Sequence, residues 1–494
     1  MANHIVAINP LDLPEVRILI EQHLTKRDLV KCLQVCQSWY NLFIACIWED
    51  FRLDFRHFEG PQPKSIAPYR HLIKSVAFIN IDDRDLQDSG FPYPNLTSVS
   101  FLGQGYGVYT ASKTLLSLHP NVTRLHIVDV KVDPSAIVQL QHLKLLELNY
   151  TRWYNDLSSF WTVCTRLETL IVDRTIFMTL PRPGRGVTFP FLKFIKLTRS
   201  SGLKHQADLD LISRSPALES LRWSVSGNTL ARRFIKFVQL GKWPRLKELE
   251  LQGSYVRIFN EDMMTLLSSF KRNLEVLHVA HSFLDVGAFE LLRKSFSSLT
   301  ELDLTHCPFV TDLMVREVMG SCSSLTLLRA GKVQARVMVE GKPWVCKSLT
   351  TLGLYFIFTT EGVSEADELT RRDELQMRVF ERLSELQDLE TLVLGDTIGL
   401  WYQEWLDRPP QRGLELRLEK GLGRLSTLHR LKHLYIDKTY QLLEPKDYTW
   451  LLDHWPNLEV VDGKVNIDDW KINSDFQSAL RKKTERVYHK RESI

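Results

Sequence analysis

The feature that most constrains this chain is a short apolar pattern, Leu-x-x-Leu-x-Leu, which recurs between residues 73 and 463. Clear copies begin at Leu246, Leu274 and Leu299. Further copies begin at Ile73, Leu96, Val122, Leu143, Leu167, Leu192, Leu218, Leu325, Leu349, Leu389, Leu431 and Leu458. From Ile73 to Leu349 the steps between starts are 23, 26, 21, 24, 25, 26, 28, 28, 25, 26 and 24 residues. Chance produces one such hexapeptide easily, but it does not produce eleven near-equal steps, so the pattern predicts stacked structural repeats.

Each copy is predicted to form a short strand. Because side chains two residues apart point to the same side of a strand, the last two apolar positions face one core and the residue between them faces the other way. Helical apolar patterns precede many copies, as at 262–270 and 289–296. Strand plus helix in 20 to 29 residues is typical of leucine-rich repeats. The predicted fold class is therefore α/β: a leucine-rich-repeat solenoid over 73–470, with a curved parallel sheet on its concave side and outer helices.

Two intervals break this rhythm, since Leu349 to Leu389 is 40 residues and Leu389 to Leu431 is 42. The first interval predicts an insertion near 355–388 that forms one longer helix, because its apolar residues have helical spacing. The second predicts an insertion near 395–430, an exposed excursion that contains three large aromatic residues and Pro409-Pro410. Residues 471–494 are predicted to be a C-terminal helix or basic tail.

Residues 9–51 differ in kind from the repeats, and we call them the N-terminal module. They follow an extension at 1–8 and precede a linker or lead-in to the first repeat at 52–72. Pro14 suits a first helical turn. Thr25 and Asp28 form a capping-box-like pair at the start of the next helix. Three short helices in about 45 residues bury too little core alone, so a partner or the adjoining repeats must cover their apolar face.

The N-terminal module resembles the F-box motif. It contains Leu-Pro-Glu at 13–15, an aliphatic pair at 19–20, Asp-Leu at 28–29, and Val-Cys-x-x-Trp at 35–39. The spacing between Glu15 and Leu19 is shorter than the motif's. The repeat region resembles that of F-box proteins with leucine-rich repeats, notably a large fungal group. The resemblance implies that the module binds a Skp-family adaptor through Leu13, Pro14, Leu19, Ile20, Leu24, Leu29, Leu33, Val35, Cys36, Trp39 and Trp48.

The function that this resemblance implies is that of a substrate-recognition subunit of a Skp–cullin–F-box ubiquitin ligase. The adaptor links to a cullin scaffold and a RING subunit, and the repeats hold a protein substrate. The alternative is a non-ligase interaction scaffold, whose F-box binds the adaptor without recruiting cullin or binds another partner. The sequence does not separate the two hypotheses, whereas cullin in the same complex would.

Substrate contact is predicted at the middle residues of the predicted strands and at the aromatic residues of the second insertion. The signs of the strand residues alternate, so no ligand of a single charge is indicated. The candidate substrate-binding residues are Arg222, Glu250, His278, Asp303, Arg329, Trp401, Tyr402, Trp405 and Tyr435.

Catalytic, metal and cofactor sites are not indicated, because the sequence has no G-x-S-x-G or H-E-x-x-H motif. Cys32 and Cys36 lack further ligands nearby and are expected to pack in the core. We therefore expect a non-catalytic chain without metal or cofactor.

Charge and cysteine content also bear on the partners and the cellular compartment of the chain. The net charge of +4 argues against a dedicated nucleic-acid binder. Seven scattered cysteines indicate a reducing compartment, cytoplasmic, nuclear or both. The sequence shows no secretory signal and no apolar stretch long enough to span a membrane. We therefore expect neither secretion nor insertion into a membrane.

Overall fold

The computed structural model divides the chain into two compact units, residues 1–215 with 488–494, and residues 216–487. We call them the first and second unit. The structure describes residues 13, 16, 19, 20, 23–54, 66–80, 92–103, 113–132, 134–153, 158–177, 182–198, 205–225, 227–252, 257–270, 274–358, 365–395 and 413–493.

The N-terminal module contains the helices Lys26–Cys32 and Gln37–Glu49. The first begins with the predicted capping box: the Thr25 hydroxyl accepts from the backbone N–H of Asp28, and the Asp28 carboxylate accepts from the backbone N–H of Thr25. Phe43 is fully buried. The module is followed directly by a strand, Asp50–Asp54, within the segment predicted as the module's end and a linker. Its apolar residues Trp48, Phe51 and Leu53 have the spacing of the repeat pattern and pair in register with the copy that begins at Ile73, but aromatic residues replace the first two leucines, so the strand was not predicted.

The first unit contains seven parallel strands in chain order among its described residues. They are Asp50–Asp54, Ser75–Ile79, Ser98–Leu102, Arg124–Val128, Leu145–Asn149, Thr169–Asp173 and Phe194–Thr198. A second, small parallel sheet joins Lys131–Val132, Arg152–Trp153 and Ile176–Phe177. The helices are Lys113–Leu118, Pro134–Val138, Ser158–Cys164 and His205–Ser213, with a 3-10 helix at Ala67–Leu72.

The second unit contains nine described strands, again parallel and in chain order. They are Ser220–Ser224, Glu248–Gln252, Val276–His278, Glu301–Asp303, Leu327–Gln334, Thr351–Ile357, Thr391–Val393, His433–Tyr435 and Val460–Asp462. Its described α-helices are Asn228–Gln239, Asn260–Ser269, Val286–Arg293, Asp312–Ser321, Ala335–Val339, Glu365–Ser384 and Pro445–His454, and its 3-10 helices are Leu418–Lys420 and Leu422–Thr427. A last helix, Trp470–Ser493, belongs to the second unit up to residue 487.

The leucines of the repeat pattern form the core of each unit. Leu249, Leu277 and Leu302 lie directly opposite one another on adjacent strands, and each is fully buried. Burying one leucine side chain contributes about 1.5–3 kcal/mol, so a column of leucines stabilises each strand through its neighbours. In each of the fifteen copies of the pattern, a strand begins at the third residue or close to it, which confirms the predicted repeats.

The first insertion forms the helix Glu365–Ser384, where one longer helix was predicted. Residues 413–430 of the second insertion pack against it. Arg372 donates to the carbonyl of Gly413 at 3.0 Å, and Gln376 donates to the carbonyls of Glu415 and Lys420 at 3.0 Å each. This end of the second insertion is therefore packed rather than an exposed excursion. Residues 396–412, with Trp401, Tyr402 and Trp405, lie outside the described residues.

Candidate protein-interaction surfaces

Five of the predicted substrate-binding residues form one row on the sheet of the second unit. The register places Arg222, Glu250, His278, Asp303 and Arg329 opposite one another on five adjacent strands. We call these five residues the outer row, because they alternate with the buried leucines and point away from the core. The sixth residue, Tyr435, lies three strands beyond Arg329, after Gly353 and Val393.

Charges of opposite sign compensate one another along the outer row. Nε of Arg222 lies 3.4 Å from Oε2 of Glu250, and Nδ1 of His278 lies 3.7 Å from the same oxygen. Nε2 of His278 lies 3.2 Å from Oε2 of Glu301, although its N–H is not aligned for a hydrogen bond. Asp303 accepts from the backbone N–H of Thr305 at 2.9 Å. The row therefore presents alternating charges that are already positioned by the fold.

His278 is a cation at neutral pH. Burial by itself lowers the pKa of its imidazole, but the interactions with Glu250 and Glu301 outweigh burial and raise the pKa to about 9. The same contact with His278 holds the pKa of Glu301 below its ordinary value. A positive charge held between two carboxylates favours the ionised form of Glu301, and this is an arrangement suited to polar recognition.

The first unit has a related pair on its sheet. Nδ1 of His126 lies 2.6 Å from Oε2 of Glu147, and the Asn149 amide donates to the other carboxylate oxygen at 2.6 Å. The hydrogen bond from His126 is the main reason why the pKa of Glu147 is lowered. His126 and Glu147 occupy the middle positions of neighbouring strands, as the outer-row residues do.

The N-terminal module leaves several aliphatic side chains exposed. The exposed fraction is 43% for Leu13, 58% for Leu19, 45% for Val30 and 62% for Val35. The other predicted adaptor-binding positions divide by exposure. Cys36 is exposed, Ile20, Leu24, Leu33, Trp39 and Trp48 are half-buried, and Pro14 lies outside the described residues.

Three predicted adaptor-binding residues pack within the first unit itself. Leu29 is 4% exposed and belongs to the core, so it is not available for a direct contact in this conformation. Trp48 stacks on Tyr69 with ring centroids 4.7 Å apart. Trp39 meets Phe43 edge-on at 5.6 Å. The exposed aliphatic residues, rather than the tryptophans, are therefore the accessible part of the module.

Small polar residues that lie shortly after several strands are buried and form a ladder, which the apolar pattern alone does not predict. Thr175 donates to the carbonyl of Leu148 at 2.9 Å, and its hydroxyl lies 3.1 Å from that of Thr151. The Cys307 thiol donates to the carbonyl of Val279 at 3.3 Å. Leucine-rich repeats place Asn or Cys three residues after the last leucine, which was the available signal. We call this the polar ladder: Thr151, Thr175, Ser282, Cys307, Thr439 and Asn466.

The residue before five of the six ladder residues turns the chain sharply; Val465, before Asn466, does not. The backbone of these five residues lies in the left-handed region, which non-glycine residues seldom adopt. The same conformation recurs in both units. The residues with positive φ are Asn80, Asp129, Tyr150, Arg174, His281, His306 and Lys438.

All seven cysteines are free. Cys164, Cys307, Cys322 and Cys346 are buried, and burial raises the pKa of the Cys322 thiol to about 12 and that of Cys346 to about 11. Within the described ranges, no three His, Cys, Asp or Glu side chains are grouped to hold a metal ion. None of the helices in that part of the chain has the length and apolarity to cross a membrane.

Comparisons with known proteins give distant likenesses. No family model matches the chain, and no curated protein matches it. A leucine-rich-repeat protein of Leptospira interrogans is 14% identical with a TM-score of 0.38, covering 83% of this chain and 94% of that one. An internalin from Listeria monocytogenes is 14% identical with a TM-score of 0.33, covering 80% of this chain and 88% of that one.

At such TM-scores the likeness carries no argument, so the class rests on the repeats themselves. Strands in chain order, leucines in register and a polar ladder define leucine-rich repeats. The described residues therefore have the strand-and-helix architecture of leucine-rich repeats.

Proposed function

We propose that the chain is the substrate-recognition subunit of a Skp–cullin–F-box ubiquitin ligase in the cytoplasm, the nucleus or both. Its N-terminal module binds a Skp-family adaptor, and through it a cullin and a RING subunit. Its repeats bind a protein substrate. The chain itself is non-catalytic and carries no cofactor, since ubiquitin transfer belongs to the other subunits.

The observation that carries the proposal is the set of exposed aliphatic side chains on the N-terminal module. Leu13, Leu19, Val30 and Val35 lie within one short segment, and each exposes more than two fifths of its surface. Isolated exposed apolar residues are common, but a local group of them marks an interaction site. Burial against a partner contributes about 25 cal/mol per Å² of apolar surface, which favours contact with an apolar surface of the adaptor over contact with water.

The outer row supports the second half of the proposal. Its charges alternate and are held by neighbours, so a substrate with the complementary order of charges meets preformed partners. A substrate with the opposite order meets like charges, which costs several kcal/mol. Such a surface gives specificity without an excess of either charge.

Adaptor binding is tested with the full chain co-expressed with a Skp-family adaptor. The double variant L19S/V35S should bind the adaptor at least tenfold more weakly, because both side chains are exposed and their loss leaves the core intact. Leu118→Ser is the matched control, since Leu118 is 50% exposed in the same unit but lies outside the module. A folded wild-type chain that does not bind, or a double variant that binds like the control, would contradict the proposal.

Two further measurements separate the ligase from the scaffold. Cullin should co-purify with the adaptor complex; a complex that always lacks cullin would favour the non-ligase scaffold. Proximity labelling under proteasome inhibition should enrich substrates that Arg329→Glu loses, because Arg329 is an exposed member of the outer row. Lys294→Glu is the control, since Lys294 is exposed at the end of a helix and outside that row.

A further inference from the structure

Three phenylalanines stack on one another across consecutive repeats of the second unit. Each lies just before a helix: Phe259 before Asn260–Ser269, Phe283 before Val286–Arg293, and Phe309 before Asp312–Ser321. The ring centroids of Phe259 and Phe283 are 5.3 Å apart, and those of Phe283 and Phe309 are 5.5 Å apart. Phe259 is 40% exposed and Phe309 is 52% exposed. We call these three residues the phenylalanine column.

More exposed apolar side chains adjoin this column on the first turns of the same helices. Met264 is 41% exposed, Val286 64% and Leu313 57%. The Met264 thioether lies beside Gly287, so these side chains continue from one helix to the next. An apolar group that spans three repeats is more than the scattered exposure expected on any surface, and such patches mark protein interfaces.

A second column of side chains occurs in the same repeats, three of them in loops and Lys332 in the strand Leu327–Gln334. It consists of Arg257, His281, His306 and Lys332, and we call it the cationic column. The imidazoles of His281 and His306 stack with centroids 4.7 Å apart. Burial and then the charge of Arg257 lower the pKa of His281. Burial, His281 and Lys332 lower the pKa of His306 to about 4, against the opposing charge of Asp303, so at neutral pH the charged members are the two ends.

Two nearby carboxylates are already engaged. Asp262 pairs with Arg232 at 2.9 Å, and Asp285 caps its helix by accepting from the backbone N–H of Ala288 at 2.9 Å. Arg257 and Lys332 are both exposed. The same repeats therefore combine an apolar stripe with a positive charge at each end of the cationic column, an arrangement that favours an acidic partner.

We infer that the phenylalanine and cationic columns form a docking surface for an acidic amphipathic helix of a partner protein, in addition to the outer row. The ring spacings match the helical pitch of about 5.4 Å, so apolar side chains at i, i+4 and i+7 of a helix lying along the column each meet one ring. Acidic side chains on the adjacent stripe of that helix meet Arg257 and Lys332.

The test uses the full chain and two synthetic helical peptides of about four turns. Both carry leucine at i, i+4 and i+7; one has glutamate on the adjacent stripe, and the other has lysine at the same positions. Fluorescence anisotropy at low salt should show saturable binding of the glutamate peptide, at least tenfold tighter than that of the lysine peptide. The double variant F259S/F309S should weaken this binding at least tenfold, and R257E/K332E should reverse the preference.

Phe191→Ser is the matched control, since Phe191 is 58% exposed and lies in the first unit. It should leave binding unchanged, and thermal unfolding should show that all variants are folded. Arg329→Glu should also leave peptide binding unchanged, which separates this surface from the proposed substrate site. No saturable binding, equal affinity for both peptides, or F259S/F309S binding like the control would overturn the inference.

Discussion

His278 lies with Nδ1 3.7 Å from Oε2 of Glu250, on adjacent strands and at opposite positions in the register. The histidine side chain is 15% exposed and the glutamate 10%, so water screens the pair only weakly. Glu301 approaches the other ring nitrogen. The imidazole of His278 therefore stabilises the sheet, in addition to forming part of its outer row.

Stability should fall as the pH rises through the titration of His278. Its pKa is about 9 in the folded chain against an ordinary 6.5. A raised pKa contributes stability that is fully present below pH 6.5 and is lost as the pH approaches 9. Urea unfolding at pH 6, 7.5 and 9.5 should show the free-energy difference between wild type and His278→Gln shrinking by about 3 kcal/mol at most. A difference that stays constant over this range would refute the assignment.

Removing one hydroxyl from the polar ladder should destabilise the first unit. Thr175 is fully buried and donates to the Leu148 carbonyl. Thr175→Val keeps the shape but leaves that carbonyl and the Thr151 hydroxyl without this partner, at a cost of about 1–3 kcal/mol. Thr114→Val, at an exposed helical position, should change the free energy of unfolding by about 0.5 kcal/mol or less. Equal effects of the two substitutions, measured by urea unfolding, would show that the ladder contributes nothing.

The left-handed turn that follows several of the strands should disfavour β-branched residues. Tyr150 has φ 53° and is 50% exposed, so the conformation of its backbone matters more than the packing of its ring. Tyr150→Val should cost about 1–2 kcal/mol more than Tyr150→Asn, because asparagine tolerates this region and valine does not. Thermal and urea unfolding of the two variants provide the comparison; similar stabilities would contradict the turn geometry.

Gly463 should not tolerate a side chain. Its φ is 111°, and an added Cβ would lie 2.6 Å from the backbone nitrogen of Asp437. Gly463→Ala should therefore lower the free energy of unfolding by about 2 kcal/mol or more, through backbone strain and overlap together. Gly423→Ala is the control, since a Cβ there meets no atom within 4 Å. If both alanine variants unfold at the same urea concentration, the close approach at Gly463 is absent.

The strands were predictable because their alternation is local. The spacing of Leu274, Leu277 and Val279 predicts that these side chains face the core, and all three are buried. His278 lies between two of them, so it is predicted to face outward. The strand Asp50–Asp54 was not predicted, because Trp48 and Phe51 stand where the pattern has leucines and the segment was assigned to the N-terminal module and its linker. The hydrogen bond from Arg372 to the Gly413 carbonyl joins residues 41 positions apart, so no local sequence pattern predicts it.

The candidate surfaces were predictable to different degrees. The outer row follows from the alternation, but the sequence does not say that Glu301 completes the environment of His278. The phenylalanine column has a signal in the repeat spacing, since Phe259, Phe283 and Phe309 recur after 24 and 26 residues. In the N-terminal module, the resemblance to the F-box motif predicts adaptor contact for both Leu19 and Leu29. Only the packing in the structure shows that Leu29 is buried and Leu19 is exposed.

The distribution of free thiols gives the chain a built-in chemical label. Cys164, Cys307, Cys322 and Cys346 are buried and have raised pKa values, so they seldom present the reactive thiolate. Cys36 is exposed on the N-terminal module. A maleimide dye at neutral pH should therefore attach mainly to that module in the unaltered chain. Protection of this thiol from alkylation would report occupancy of the module by a partner, without any substitution in the protein.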